Sequence, residues 1–270
     1  MITVTFIRHG ESMDNLRSVW AGWKDAPLSN HGMNQARAMG ESFATTPYTA
    51  IYCSDLKRAH STAQALLNAQ TTDPLPPFTV EPDLREQNFG QAEGNAWSAA
   101  STGIDVQNKI YPVITNRVDS FPDGESLNDL AARAGRALDK CVVPWILKSK
   151  GEKAEETHIA IVSHGLCISE LIGVLLKRAG SSDPPRMYTG LSNTAWTRLV
   201  VGARDEDRLD SVTLSEKASD LPLSVQVTHI NVSAHTRNLI RQKGGIGSSE
   251  FDPKQQDIRA FFGGGGISKQ

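Results

Sequence analysis

The chain has 270 residues, 39% of them hydrophobic, enough for one large enzyme-sized core and unlike the composition of collagenous, coiled-coil or membrane proteins. A formal charge of -2 excludes the broad positive field of a duplex-binding protein, so any anion site is local and no direct nucleic-acid binding is expected. The three cysteines, Cys53, Cys141 and Cys167, lie far apart without a CxxC pair, which argues against a disulfide framework or zinc site and for a reducing compartment, cytoplasmic with the nucleus also open.

Residues 1–7 are apolar but too short for a signal peptide and run into the charged Arg8-His9-Gly10-Glu11, so they predict a buried strand ending in polar chemistry. A helical pattern follows at Met33, Ala36, Met39, Gly40 and Phe43, with Ser29-Asn30 as candidate caps. The second strand, 50–53, meets Ser54-Asp55 and a helix carrying Ala59, Ala63, Leu66 and Leu67. Pro74, Pro76 and Pro77 mark a loop; 78–80 predicts a strand and 83–94 an irregular segment. The spacing of Leu127, Leu130, Ala131, Ala134, Leu138 and Val142 predicts one long amphipathic helix over 126–147. A β-branched strand at 157–162 leads into Ser163-His164-Gly165 and a helix through 175, and further strands are predicted at 195–201, 209–214 and 225–232. No apolar run approaches the roughly 20 residues that span a bilayer.

This alternation predicts an α/β fold, three layers with helices on both faces of a mostly parallel central sheet and the later strands as an antiparallel edge. Ligands in such sheets sit at the carboxyl ends of strands, which gathers Arg8-His9, Ser54 to Arg58 and His164 at one rim. Residues 1–235 form the predicted domain; 236–270 are polar and glycine-rich and predict a flexible tail.

A phosphoryl group leaving an ester needs an in-line nucleophile, cover for its negative oxygens and a proton for the departing alkoxide. His9 fits the first role as a neutral imidazole, one ring nitrogen on phosphorus and the other donating to a nearby carbonyl that fixes the tautomer. Gly10 would keep that approach uncrowded. Arg8 and Arg58 offer planar bidentate forks to phosphate oxygens and His164 a donor from the opposite side, and this positive charge favours neutral His9. Singly these signals are weak, since Arg-His-Gly recurs by chance and a histidine after a strand is commonly structural. Together they are specific.

The combination resembles the histidine phosphatase superfamily, also called phosphoglycerate mutase-like, from residue 1 to about 201. The matching residues are Arg8-His9-Gly10-Glu11-Ser12 with Asn15; Leu28-Ser29, Gly32 and Gln35-Ala36; Ser54-Asp55-Leu56, Arg58-Ala59 and Thr62-Ala63; Leu84-Arg85-Glu86, Phe89-Gly90 and Glu93-Gly94; Gly124-Glu125-Ser126; and Val162-Ser163-His164-Gly165. The resemblance implies a phosphoglycerate mutase-like fold and a metal-independent phosphatase acting on a small phosphorylated substrate. It makes His9 the residue phosphorylated in turnover and Glu86 the general acid. Arg8, Arg58 and His164 become the phosphate pocket, with Asn15, Ser12 and Gly165 also on the phosphate or substrate. An acid donating near neutral pH needs partial burial or negative neighbours, the bound phosphate included.

Residues 15–25, with Trp20, Trp23 and Lys24, are similar to cofactor-dependent phosphoglycerate mutases, so a mutase is the second reading. A mutase must retain a bisphosphate and keep water from phosphohistidine, which demands a closing lid and extra basic groups. Gln87 to Gly94 looks instead like the phosphatase branch, and the stretch to His164 is short for a lid. A third reading, a non-catalytic phospho-ligand binder or scaffold, sits poorly with a complete catalytic set.

In the tail, Gln255, Ile258, Phe261 and Phe262 are spaced as in the peptide that docks on the sliding clamp of DNA replication, though these apolar residues can equally pack on this protein's own surface or mediate self-association. His31 and His60 are expected at solvent-facing or capping positions, and His229 and His235 are remote from the constellation. Trp20, Trp23 and Trp97 are candidates for the pocket mouth, and Arg17, Lys24, Arg85 and Lys109 for a second substrate anion. No Walker or dinucleotide glycine motif and no cluster with ligand spacing occurs, so neither cofactor nor catalytic metal is expected.

Overall fold

The computed structural model describes residues 1–98, 103–149, 157–181, 188, 190–204, 221–252 and 254. Strands β1 (Ile2–Arg8), β2 (Ala50–Cys53), β3 (Phe78–Val80), β6 (His158–Ser163), β7 (Trp196–Ala203) and β8 (Leu223–Val232) form one sheet in the order β3-β2-β6-β1-β7-β8. The first four of these are mutually parallel; β7 and β8 add the expected antiparallel edge. A separate small sheet pairs β4 (Trp97–Ser98) with β5 (Tyr111–Pro112).

Alternation along each central strand divides the core into two layers, because successive side chains point to opposite faces. Val4 and Phe6 of β1 and Ile159 and Ile161 of β6 pack against α3 (Leu127–Cys141), α4 (Val143–Lys148) and α5 (Gly165–Arg178). Ile7, Ala160 and Val162 face the other way, onto α1 (Asn30–Ser42) and α2 (Lys57–Asn68). The expected three-layer α/β architecture is what forms.

Ser29 caps α1 by accepting from the Gly32 amide, and Ser126 with Asp129 forms a reciprocal capping box on α3. The single helix expected over 126–147 is two helices. Val142, between the two, has φ stretched to -115° while its amide still reaches the Leu138 carbonyl, and Pro144 in the first turn of α4 has no N–H with which to continue the α3 ladder. The strand expected at 209–214 lies outside the described residues.

The segment after β8 also differs from expectation, since a free tail does not begin at 236. Arg241 pairs with both carboxylate oxygens of Glu11, the Asn30 amide donates to the Ser249 carbonyl, and the Phe251 amide donates to the Leu28 carbonyl. Residues up to 252 thus lie against the start of α1, and the clamp-like residues Gln255, Ile258, Phe261 and Phe262 lie outside the described residues. Among the described residues no helix is long and apolar enough to cross a membrane.

Candidate active site

Arg8 is the last residue of β1, His164 the N-cap of α5 directly after β6, and Arg58 lies in the first turn of α2 after β2. Because β1 and β6 are neighbours in register, with Arg8 opposite Ser163, the two histidines emerge side by side, their ring centroids 5.1 Å apart. The His9 amide donates to the Ser163 carbonyl at 3.0 Å, which joins the two strand ends at the site itself.

His9 is buried, and its Nδ1 lies 2.6 Å from the Gly10 carbonyl oxygen. A carbonyl can only accept, so Nδ1 carries the proton and Nε2 holds the free lone pair. Burial, then Arg58 and Arg8, push the His9 imidazole well below its usual range, overriding the opposing effect of the Gly10 hydrogen bond. The ring is therefore neutral, as a nucleophile requires. His164 is depressed in the same way, first by burial and then by the charge of Arg58, with smaller effects from His9, Arg8 and Arg133.

The arginines are held differently from the forks expected. Arg58 spends Nη2 on the Gly22 carbonyl (2.7 Å) and Nη1 on the Lys24 carbonyl (3.0 Å), while Arg8 donates Nη1 to the Leu191 carbonyl. Among the described residues Arg8 Nε, Arg58 Nε and His164 Nδ1 are buried without a hydrogen-bond partner. Arg58 is anchored by both outer nitrogens and Arg8 by Nη1, and each keeps its inner N–H for a ligand. Such a set of unpaired buried donors is costly unless it meets an anion.

Glu86 follows the short turn Pro82–Leu84, and its Oε1 accepts from the Cys167 amide at 3.0 Å and the Gln87 amide at 3.0 Å. Its Oε2 accepts from the Leu166 amide at 3.2 Å. The carboxyl is thereby fixed at the N-terminus of α5, beside His164. Arg8, His9, Asn15, Arg58 and Glu86 line one pocket of about 390 Å³ together with Val19, Trp20, Ala21, Phe89, Trp97 and Val113. A larger groove of about 760 Å³, between α1, α2 and Phe251, holds none of the expected site residues and offers no comparable chemistry.

A sequence model of the histidine phosphatase superfamily, branch 1, matches residues 4–213. The chain belongs to that superfamily. It is 30% identical over 174 residues to a 2,3-bisphosphoglycerate-dependent phosphoglycerate mutase of Gloeobacter violaceus, a match covering 64% of this chain and 74% of that protein. It is 25% identical over 261 residues to a protein of Schizosaccharomyces pombe named a probable phosphatase, covering 96% of this chain and 79% of that one. A vanadate-complexed mycobacterial glucosyl-3-phosphoglycerate phosphatase shares the fold at a TM-score of 0.66 and 24% identity, covering 86% of this chain and 99% of that one. A Bacillus anthracis phosphoglycerate mutase shares it at 0.61 and 22%, covering 87% and 94%. The fold is phosphoglycerate mutase-like, and both activities occur among the superfamily members it resembles.

Not every expected residue of this histidine phosphatase superfamily chain reaches the pocket. Ser12 is fully buried and its hydroxyl donates to Asn15 Oδ1 at 3.2 Å, so it supports Asn15 from behind. Gly165 borders the site: a Cβ there would lie 3.8 Å from Arg8 Nε and 3.9 Å from Glu86 Oε2. Gly10 serves backbone packing, since a Cβ would stand 2.5 Å from the Gly32 carbonyl oxygen. Trp20 and Trp97 do line the mouth, whereas Trp23 donates its indole N–H to the Glu86 carbonyl at 2.7 Å and stacks under Arg85. Arg85 itself is paired with Asp55, and none of Arg17, Lys24, Arg85 and Lys109 lines the pocket. His235 is closer than its position suggests: its Nε2 is 2.9 Å from Thr194 Oγ1, and the Thr194 amide donates to the His9 carbonyl.

Arg133 went unrecognised in the sequence. It is buried in α3 and donates to the carbonyls of Asp83, Arg85 and Glu86 and to both oxygens of Glu125. The signal was an arginine on the apolar stripe of that helix, between Leu130, Ala134 and Ala137. Among the described residues no group of three or more His, Cys, Asp or Glu side chains is placed to hold a metal ion.

Proposed function

We propose that this chain is a phosphomonoesterase working through phosphohistidine at His9, with Glu86 as the proton donor. The observation that carries the reading is the neutral, tautomer-fixed His9 ring beside three unpartnered buried donors, Arg8 Nε, Arg58 Nε and His164 Nδ1. His9 Nε2 attacks phosphorus and the P–O bond to the leaving group breaks. Glu86 gives its proton to the departing alkoxide. The three donors match the charge that spreads over the equatorial oxygens as the bond breaks. Water then attacks the phosphohistidine and gives its proton to Glu86, which restores both residues and releases phosphate.

Hydrolysis is favoured over mutase chemistry by the pocket lining, which among the described residues carries no cation beyond Arg8 and Arg58. A mutase must hold a second phosphate as well as the reacting one. The test is to incubate the protein with 3-phosphoglycerate and catalytic 2,3-bisphosphoglycerate, following 2-phosphoglycerate against free phosphate, and to trap the turnover intermediate. Acid-labile label on His9, lost in His9→Ala, with free phosphate as product and no loss on adding chelator, is the expected result. Label elsewhere, or activity surviving His9→Ala, would refute the proposal.

A further inference from the structure

We infer that the alcohol half of the substrate is apolar or aromatic, held against a wall of Trp20, Phe89, Trp97 and Val113; this deepens, and rests on, the phosphatase reading above. The pocket is split by chemistry. Its polar end is Arg8, His9, Arg58 and Glu86, the residues assigned above to the reacting phosphoryl group, and apart from Asn15 the other lining side chains are apolar or aromatic.

That apolar wall is built and fixed. The Trp20 ring lies 4.7 Å from Phe89 and 5.2 Å from Phe121, which in turn meets Tyr111 edge-on at 5.5 Å. The indole N–H of Trp20 is already given to the Tyr111 carbonyl at 3.2 Å, so this ring offers a ligand only carbon. Trp97 in β4 pairs in register with Tyr111 of β5, and Val113 follows β5 directly, so both reach the mouth from one small sheet. They are 48% and 52% exposed, two large apolar side chains left in water at the rim of the catalytic pocket. A ring or alkyl body on the leaving oxygen would cover them.

A leaving group bearing a carboxylate or second phosphate would meet the opposite environment. It would lose water against aromatic carbon with no remaining cation in the described lining to pair with. The wall therefore selects between two substrate classes that present the same phosphoryl end.

The experiment compares kcat/KM for 2-phenylethyl phosphate, ethyl phosphate and 3-phosphoglycerate; the first two release alkoxides of similar basicity and differ in apolar body. A preference of about tenfold or more for 2-phenylethyl phosphate over each of the others is expected. Trp97→Ala, at an exposed position, should cut the phenylethyl-to-ethyl ratio by about fivefold or more, and Val113→Lys should raise 3-phosphoglycerate relative to 2-phenylethyl phosphate. A parent ratio near one, a parent preference for 3-phosphoglycerate, or ratios unmoved by both variants would overturn the inference while leaving the phosphatase reading intact. Hydrolysis of none of the three esters, with no phosphohistidine trapped, would overturn both.

Discussion

Oγ of Ser54 lies 2.9 Å from Nε2 of His164, and the Leu56 amide donates to the same oxygen at 3.3 Å. The hydroxyl still has its own O–H to give, and by donating it to Nε2 it puts the His164 proton on Nδ1, the nitrogen without a partner, where the proposed phosphate needs a donor. Ser54 is thus a positioning residue that would select the donor tautomer in the phosphate pocket proposed above. Ser54→Ala should lower kcat/KM by about tenfold, the scale of one lost hydrogen bond in a buried site, and should also cost about 1–3 kcal/mol of stability because the buried Leu56 amide loses its side-chain acceptor. The same loss with Ser54→Thr, which keeps the hydroxyl, would show that shape rather than the proton matters.

Arg133 ties α3 to the segment carrying Glu86 through five hydrogen bonds to carbonyls and to Glu125. Its side chain is 5% exposed and that of Glu125 19%, so the pair is largely removed from water. Arg133→Met would leave Glu125 and three carbonyls without their donor. Breaking such a pair costs about 3–5 kcal/mol, and Arg133→Lys should rescue little because an ammonium cannot reproduce the planar fork. Urea unfolding of both variants checks this; a methionine variant within 1 kcal/mol of the parent, taking about 3 kcal/mol as the floor, would contradict it.

The Glu11–Arg241 pair has side chains 12% and 38% exposed and belongs to a broader seam that includes Asn30–Ser249 and Leu28–Phe251. Arg241→Ala alone should cost no more than about 1 kcal/mol, as partly exposed ion pairs do. Deleting residues 237–270 removes the whole seam and should lower the melting temperature further than the single substitution. Equal effects would mean that the ion pair alone holds the segment.

Stability should fall on mild acidification. The His158 imidazole, 2.8 Å from Thr5 Oγ1 and tilted against the Tyr48 ring at 4.6 Å, is pushed down to about 4, chiefly by burial and then by Arg198. Its unfolded counterpart titrates near 6.5. Between these values the unfolded chain binds a proton that the native one refuses, so stability rises with pH across that window and is lost as pH drops through it. His9 and His164 are shifted in the same direction and add to the slope. Each histidine contributes at most about 1.4 kcal/mol per pH unit. Urea midpoints at pH 7 and pH 5 should differ less in His158→Gln than in the parent; an unchanged difference would rule His158 out as a contributor.

What sequence could reveal follows from how local each signal is. Arg8-His9-Gly10 and Ser163-His164-Gly165 sit where apolar strands stop, so strand periodicity and the carboxyl-edge rule place both without coordinates. The break between α3 and α4 was visible only as Pro144, because the apolar spacing continues across it. Which guanidinium nitrogens face the ligand depends on the carbonyls of Gly22, Lys24 and Leu191, contacts that no spacing encodes. The seam beyond β8 was illegible for a related reason: its hold comes from backbone amides and one ion pair rather than from apolar periodicity.

The bond from the His9 amide to the Ser163 carbonyl continues the ladder between the two central strands. The spacing of the proposed nucleophile and its companion imidazole is accordingly set by the strand pairing of the sheet rather than by the surrounding loops. Evolution or ligand control acting on this enzyme is left with the doorway, built on separate, shorter elements, as the part free to vary.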